Sequence, residues 1–131
     1  MYNDERFPGK ERKTGDGLTG SVVEVAFDVV PSGRLRKYER ITFRDDATAV
    51  TKVSLVVRSG GTDYFMHEVN APTANLLYED DFPITVTEGE RVVAIITGSA
   101  TNDVIDLFSS YCEEPLRRGS WDASGKMTQG Y

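Results

Sequence analysis

The chain is 131 residues long, carries a formal net charge of −6 and contains one cysteine, Cys112. That length fits a single domain able to bury a core without disulfide or metal, and one cysteine excludes an internal disulfide framework. No run approaches the ~20 apolar residues of a membrane span, and the opening MYNDERFPGKERK lacks the apolar stretch of a signal peptide, so the expectation is a protein made and used in water.

Residues 1–20 hold four glycines, Pro8 and eight charged side chains, with Tyr2, Phe7 and Leu18 as the sizeable apolar groups. Such a segment cannot build a core and is expected to be an extended N-terminal arm. From Ser21 to Glu114 the pattern changes to a period of two, which predicts strands. In Ser21–Val30, Val23, Val25, Phe27 and Val29 share a face. Pro31–Arg34 is a turn, Leu35–Arg44 a strand with Ile41 and Phe43 on one side, and Asp45–Thr48 a loop. Val53, Leu55 and Val57 alternate with Lys52, Ser54 and Arg58, and Ser59–Asp63 (SGGTD) is a Gly-Gly hairpin connection into Tyr64–Val69.

Asn70–Asp81 is a long connection with one short strand around Leu76–Tyr78. Pro83–Thr87 is a strand, Glu88–Glu90 a tight turn and Arg91–Thr97 a β-branched strand. Ser99–Asp103 turns again, and Val104–Cys112 closes the set. About eight short strands between turn signals, with no room for an amphipathic helix, predict an all-β antiparallel sandwich of jelly-roll type over 21–114. Val25, Phe27, Phe43, Leu55, Val57, Ile95 and Leu107 are its expected core. Residues 115–131, with three glycines, two serines and a lone Trp121, are expected to be an extended C-terminal tail.

Charge is unevenly spread. Residues 1–20 are net 0, residues 115–131 net +2, and residues 21–114 net −8 from eight basic and sixteen acidic side chains. An acidic body repels phosphate backbones, which argues against nucleic acid as partner. The basic cluster Arg34, Arg36, Lys37, Arg40 and Arg44 is instead expected to face an acidic strip on a neighbouring copy. Phe7, Arg117, Arg118, Trp121 and Tyr131, apolar or basic groups in polar ends, are expected to anchor in a partner.

Catalytic machinery is not evident. A nucleophile needs a base and an orienting group, and Cys112 sits beside Glu113 and Glu114, which raise rather than lower a thiol pKa. His67 is the sole histidine and lacks soft co-ligands for zinc. The carboxylates Asp45 with Asp46, Glu79 through Asp81, and Asp103 with Asp106 fall in loops or on polar strand faces, where solubility explains them. Glu79–Asp81 with Asp45 or Asp46 offers hard oxygens for Ca²⁺, but the spaced D-x-D-x-D-G pattern is missing. The expectation is no enzyme, no cofactor and no metal.

The segments RITFRDD (Arg40–Asp46), Val53–Val57 and PITVTEGERVVAIITGSATNDVIDLFSSYCEE (Pro83–Glu114) together resemble small jelly-roll virion proteins of tailed bacteriophages. The likeness rests on the turn Val86–Arg91, the loop Gly98–Asp103 and the final strand Asp103–Tyr111, and spans about residues 34–114; Ser110 stands where the family usually has glycine. It implies a structural role in the virion: a capsid decoration (cement) protein on the capsid surface, synthesised in the bacterial host cytoplasm. Its partners would be the major capsid protein and other copies of itself, with a homotrimer favoured. A head-to-tail or tail component is the nearest alternative, and a jelly-roll carbohydrate-binding module the alternative from another class.

Overall fold

A computed structural model describes residues 6–80, 83–116, 118–121 and 127–130, with 78–80, 118–121 and 127–130 described by their backbone. In chain order the strands are β1 (Phe7–Asp16), β2 (Val23–Ala26), β3 (Arg34–Asp45), β4 (Lys52–Ser59), β5 (Thr62–Asn70), β6 (Tyr78–Asp80), β7 (Ile84–Thr87), β8 (Arg91–Thr97), β9 (Val104–Pro115), β10 (Arg118–Trp121) and β11 (Met127–Gly130). Among the described residues there is no helix, so none is long and apolar enough to cross a membrane.

Nine strands form two antiparallel sheets packed as a sandwich, in the orders β1-β9-β3-β6 (with β7 also on β3) and β2-β8-β4-β5. β6 lies opposite Ile41–Phe43 and β7 opposite Leu35–Tyr38. Between those two segments β3 carries a bulge at Glu39–Thr42. Arg40 there takes a left-handed φ of 51°, and the buried Ser109 hydroxyl donates to the Glu39 carbonyl at 2.9 Å. The bulge divides the stretch paired with β7 from the stretch paired with β6. With β6 and β7 counted as one interrupted strand, each sheet has four strands and the arrangement is jelly-roll-like.

Residues 7–16 differ from the expected free arm: they are the edge strand β1, paired with β9 from Phe7↔Glu113 to Asp16↔Val104. The domain therefore begins well before Ser21. The physical reason lies in two glycines and one glutamate. A Cβ on Gly9 would stand 2.5 Å from the Tyr111 ring, and one on Gly15 would stand 2.6 Å from the Val25 side chain. Bare backbone at these positions lets β1 lie close over its neighbours. Between them Glu11 turns inward and is buried. Its carboxylate accepts from the Asp28 amide at 2.5 Å, the Tyr38 hydroxyl at 2.9 Å and Arg36 at 3.2 Å. Burial, helped by Glu11, pushes the Tyr38 hydroxyl above the usual tyrosine range, so it stays a donor to Glu11. Gly9→Ala is expected to cost about 1–3 kcal/mol, because Tyr111 or β1 must shift; chemical denaturation checks it, and an unchanged midpoint would place β1 farther from Tyr111.

The core holds the inward faces of both sheets, including Val25, Phe27, Tyr38, Phe43, Leu55, Val57, Val92, Ile96, Ile105 and Leu107. Phe27 stacks on Tyr38 with centroids 5.0 Å apart, and Tyr111 tilts against Tyr38 at 5.6 Å. Six of the seven expected core residues are buried. Ile95 is the exception and is half-buried. In the unbroken apolar run Val92–Ile96 alternation does not reveal the inward face. The sheet register settles it, sending Val92, Ala94 and Ile96 to the core. At the end of β2 the chain departs from period two, so Val30 is buried where Val29 was expected, fixed by its amide on the Glu90 carbonyl.

The hairpin at Gly60–Gly61 has both glycines at positive φ, 57° and 82°, as a primed two-residue turn demands. In the tail, β10 and β11 pair with each other, Arg118↔Gly130 through Trp121↔Met127, so a hairpin stands where extended chain was expected.

Candidate functional site

Strand direction brings the β1–β2, β3–β4, β5–β6 and β8–β9 loops to one end of the sandwich. Backbone bonds tie them together: Asp103 accepts from Gly17, Val104 from Asp46, and Asp45 from Asn75 at 2.6 Å. Thr19 and Thr101 exchange amide-to-hydroxyl bonds of 3.2 and 2.9 Å. Apolar side chains tip this end, with Leu18, Val22, Leu76, Leu77 and Val104 exposed.

Beneath them lie three carboxylates. Asp45, Asp46 and Asp103 each present an oxygen within 4.8 Å of the other two. Asp45 is 2 % exposed and Asp103 5 %, against the expectation that loop carboxylates serve solubility. Asp45 Oδ1 accepts from the Ala47 and Thr48 amides at 3.0 and 2.9 Å. Asp103 Oδ2 accepts from the Ala100 amide at 3.2 Å, and Asp46 Oδ1 from the Val104 amide at 2.9 Å. Burial raises the Asp45 carboxyl above its ordinary range, with Asp103 adding to the rise. Asp103 is lowered, first by the Thr48 hydroxyl. Asp106, expected to accompany Asp103, instead pairs with Arg12 at 2.9 Å. Of Glu79–Asp81, the first two are described by backbone and Asp81 lies outside the described residues.

The second feature is β5, an edge strand whose described pairing is with β4 alone. Tyr64, Phe65 and Met66 on it are 57, 70 and 50 % exposed. Phe65 lies opposite the buried Val56, and a register shift separates the Val56↔Phe65 pair from Leu55↔His67. Three consecutive large apolar residues after a Gly-Gly turn are the signal this strand carries in the sequence. His67 is exposed on the same strand.

Among the described residues, the expected interface residues do not share one surface. Arg36 is 12 % exposed and is spent inside the fold, on Glu113 at 2.7 Å and Glu11 at 3.2 Å, with its guanidinium 4.6 Å from the Tyr111 ring centroid. Successive side chains of a strand point to opposite faces, so Arg36 and Lys37 on β3 do not share one. Lys37 pairs with Glu114 at 3.6 Å. Arg34 lies over the exposed Phe7 ring at 5.3 Å, which joins two of the expected residues to each other. Arg40 is exposed at the bulge. Arg44 is half-buried. Arg117 and Tyr131 lie outside the described residues, as do the side chains of Arg118 and Trp121. Cys112 is a half-buried strand residue. It lines a shallow groove with Pro8, Gly9, Lys10, Glu39, Ser110 and Tyr111.

No protein-family model matches the chain, and no curated protein matches it.

Proposed function

We propose that this protein is an assembly module that binds through the edge strand β5, and that it serves as a capsid decoration protein of a tailed bacteriophage. The observation that carries the binding reading is the run Tyr64–Phe65–Met66, exposed on a nine-residue edge strand. An edge strand offers unpaired amides and carbonyls, and a partner strand added there gains main-chain bonds while Phe65 and Tyr64 supply aromatic anchors. The virion role rests on the resemblance of residues 34–114 to small phage jelly-roll proteins. The partners are the major capsid protein and other copies of the chain, in a homotrimer.

The test is occupancy on capsids assembled without the protein, read by gel densitometry after pelleting, with sedimentation of the free protein alongside. Wild type is expected to bind to saturation, and Phe65→Asp to lose at least about 1.4 kcal/mol, a tenfold weakening. Saturation by Phe65→Asp at wild-type affinity would remove β5 from the contact. Failure of wild type to bind any capsid would overturn the decoration role, and a single monomer boundary at high concentration and on the particle would overturn the trimer.

A further inference from the structure

We propose that Asp45, Asp46 and Asp103 form a binding site for a calcium ion that locks the loop end of the sandwich. Such an ion would bind the isolated chain, with no partner protein. Three acidic side chains in proximity are not a site by themselves; the decisive observation is a single atom. Asp45 Oδ2 is buried and no group donates a hydrogen bond to it. Asp45 Oδ1 is already saturated by two amides, so Oδ2 is the oxygen that Asp45 has left for the cluster. Among the described residues, no lysine, arginine or histidine makes an ion pair with any of the three aspartates.

A buried, unpaired carboxylate costs several kcal/mol unless something positive meets it, and this one is crowded by two more. Either a shared proton or a cation satisfies the arrangement. The donor set is all hard oxygen, which selects calcium or magnesium over softer metals. The three oxygens lie within 4.8 Å of one another, close enough to share one ion. Three carboxylates drawn from two loops suit calcium, which accepts irregular geometry and many oxygen ligands, better than magnesium, which demands near-ideal octahedral geometry and usually takes one or two carboxylates.

The second oxygens already hold the frame. Amides of Ala47, Thr48, Ala100 and Val104 fix the three carboxylates in place, so little ordering is left for the ion to impose. Asp46 is half-buried rather than enclosed, which gives an ion and its remaining waters a way in. Asp45 and Asp46 belong to the β3–β4 loop and Asp103 to the β8–β9 loop. The backbone bonds from Asn75 and Gly17 carry the restraint to the other two loops, and with them to the exposed Leu18, Leu76 and Leu77.

The test uses the full-length protein, freed of metal by EDTA and dialysis. Its thermal unfolding is followed as CaCl₂ or MgCl₂ is added at constant ionic strength, with calorimetric titration of CaCl₂ in parallel. The expected result is one calcium per chain and a saturable rise in Tm of about 5 °C or more at roughly a hundredfold excess over Kd, with a weaker response to magnesium. Asp45→Asn keeps the oxygen that Ala47 and Thr48 use and turns the free oxygen into an amide that donates to Asp103. This variant is expected to melt at or above the metal-free wild type and to show no calcium response; Asp103→Asn is expected to lose the response as well. No heat and no Tm change with calcium up to about 10 mM would overturn the site and leave a shared proton as the neutralising charge. A full response in Asp45→Asn would overturn it too, by placing the ion elsewhere.

Discussion

Glu11→Ala is expected to destabilise the fold by about 3–5 kcal/mol, the scale seen when one partner of a buried charged network is removed. Glu11 is the point at which β1 is fastened to the sandwich. Its carboxylate receives the Asp28 amide, the Tyr38 hydroxyl and the Arg36 guanidinium. Alanine leaves all three donors without that acceptor in a largely buried site, and only Arg36 retains another carboxylate, Glu113. Each stranded donor carries a desolvation penalty of about 1–3 kcal/mol; the lower end applies where water enters the space the side chain vacates. Glu11→Gln keeps the shape and one acceptor oxygen but turns an N–H group toward donors, so its cost should fall between alanine and wild type. Guanidinium unfolding at unchanged m gives the numbers, and hydrogen exchange of the Lys10–Thr14 amides shows whether β1 opens before the rest. An alanine variant within ~0.5 kcal/mol of wild type would mean that β1 is held by its ladder with β9 alone.

The same strand shows how far the sequence could be read. Period-two patterning located β2, β3, β4, β7, β8 and β9, because each of those strands buries apolar side chains, and the Gly60–Gly61 and Gly89 turns were legible as well; the short strand expected at Leu76–Tyr78 stands at Tyr78–Asp80. β1 gave no such signal. Among its residues only Glu11 is buried while Phe7 is exposed, and only a knowledge of Tyr111 and Val25 lying close by explains Gly9 and Gly15. The basic cluster on β3 misled for a related reason: a charge counts as surface until its partners are known, and those of Arg36 are 25 and 77 residues away. Asp45 and Asp103 are separated by 58 positions, and nothing local in either loop announces that antiparallel strands β3 and β9 bring them together. What was legible locally is their turn chemistry, an aspartate accepting from the amides two and three residues on, as Asp45 does. The apolar run Tyr64–Met66 was legible as a strand. Its exposure followed only from the sheet order, which leaves β5 at an edge.

Phe27→Ala is expected to cost about 3–5 kcal/mol, as for other fully buried aromatic truncations. Phe27 follows directly on β2, where its amide still bonds the Val92 carbonyl at 2.9 Å, so its ring is carried into the sandwich by the sheet and cannot retreat when its neighbours change. The ring lies nearly parallel to Tyr38, at 13°, and Tyr38 is the residue whose hydroxyl reaches Glu11. Removing Phe27 therefore opens a cavity beside the polar network as well as in the hydrophobic core, and the stack itself adds about 0.5–1.5 kcal/mol beyond the buried area. Tyr38→Phe keeps the stack and deletes the bond to Glu11, for an expected loss of about 1–2 kcal/mol. Measured in a double-mutant cycle, the two changes should be non-additive by 0.5 kcal/mol or more, to order of magnitude, since they share one ring. Strict additivity would mean that the core and the Glu11 network are independent, and that water replaces the Phe27 ring without disturbing Tyr38.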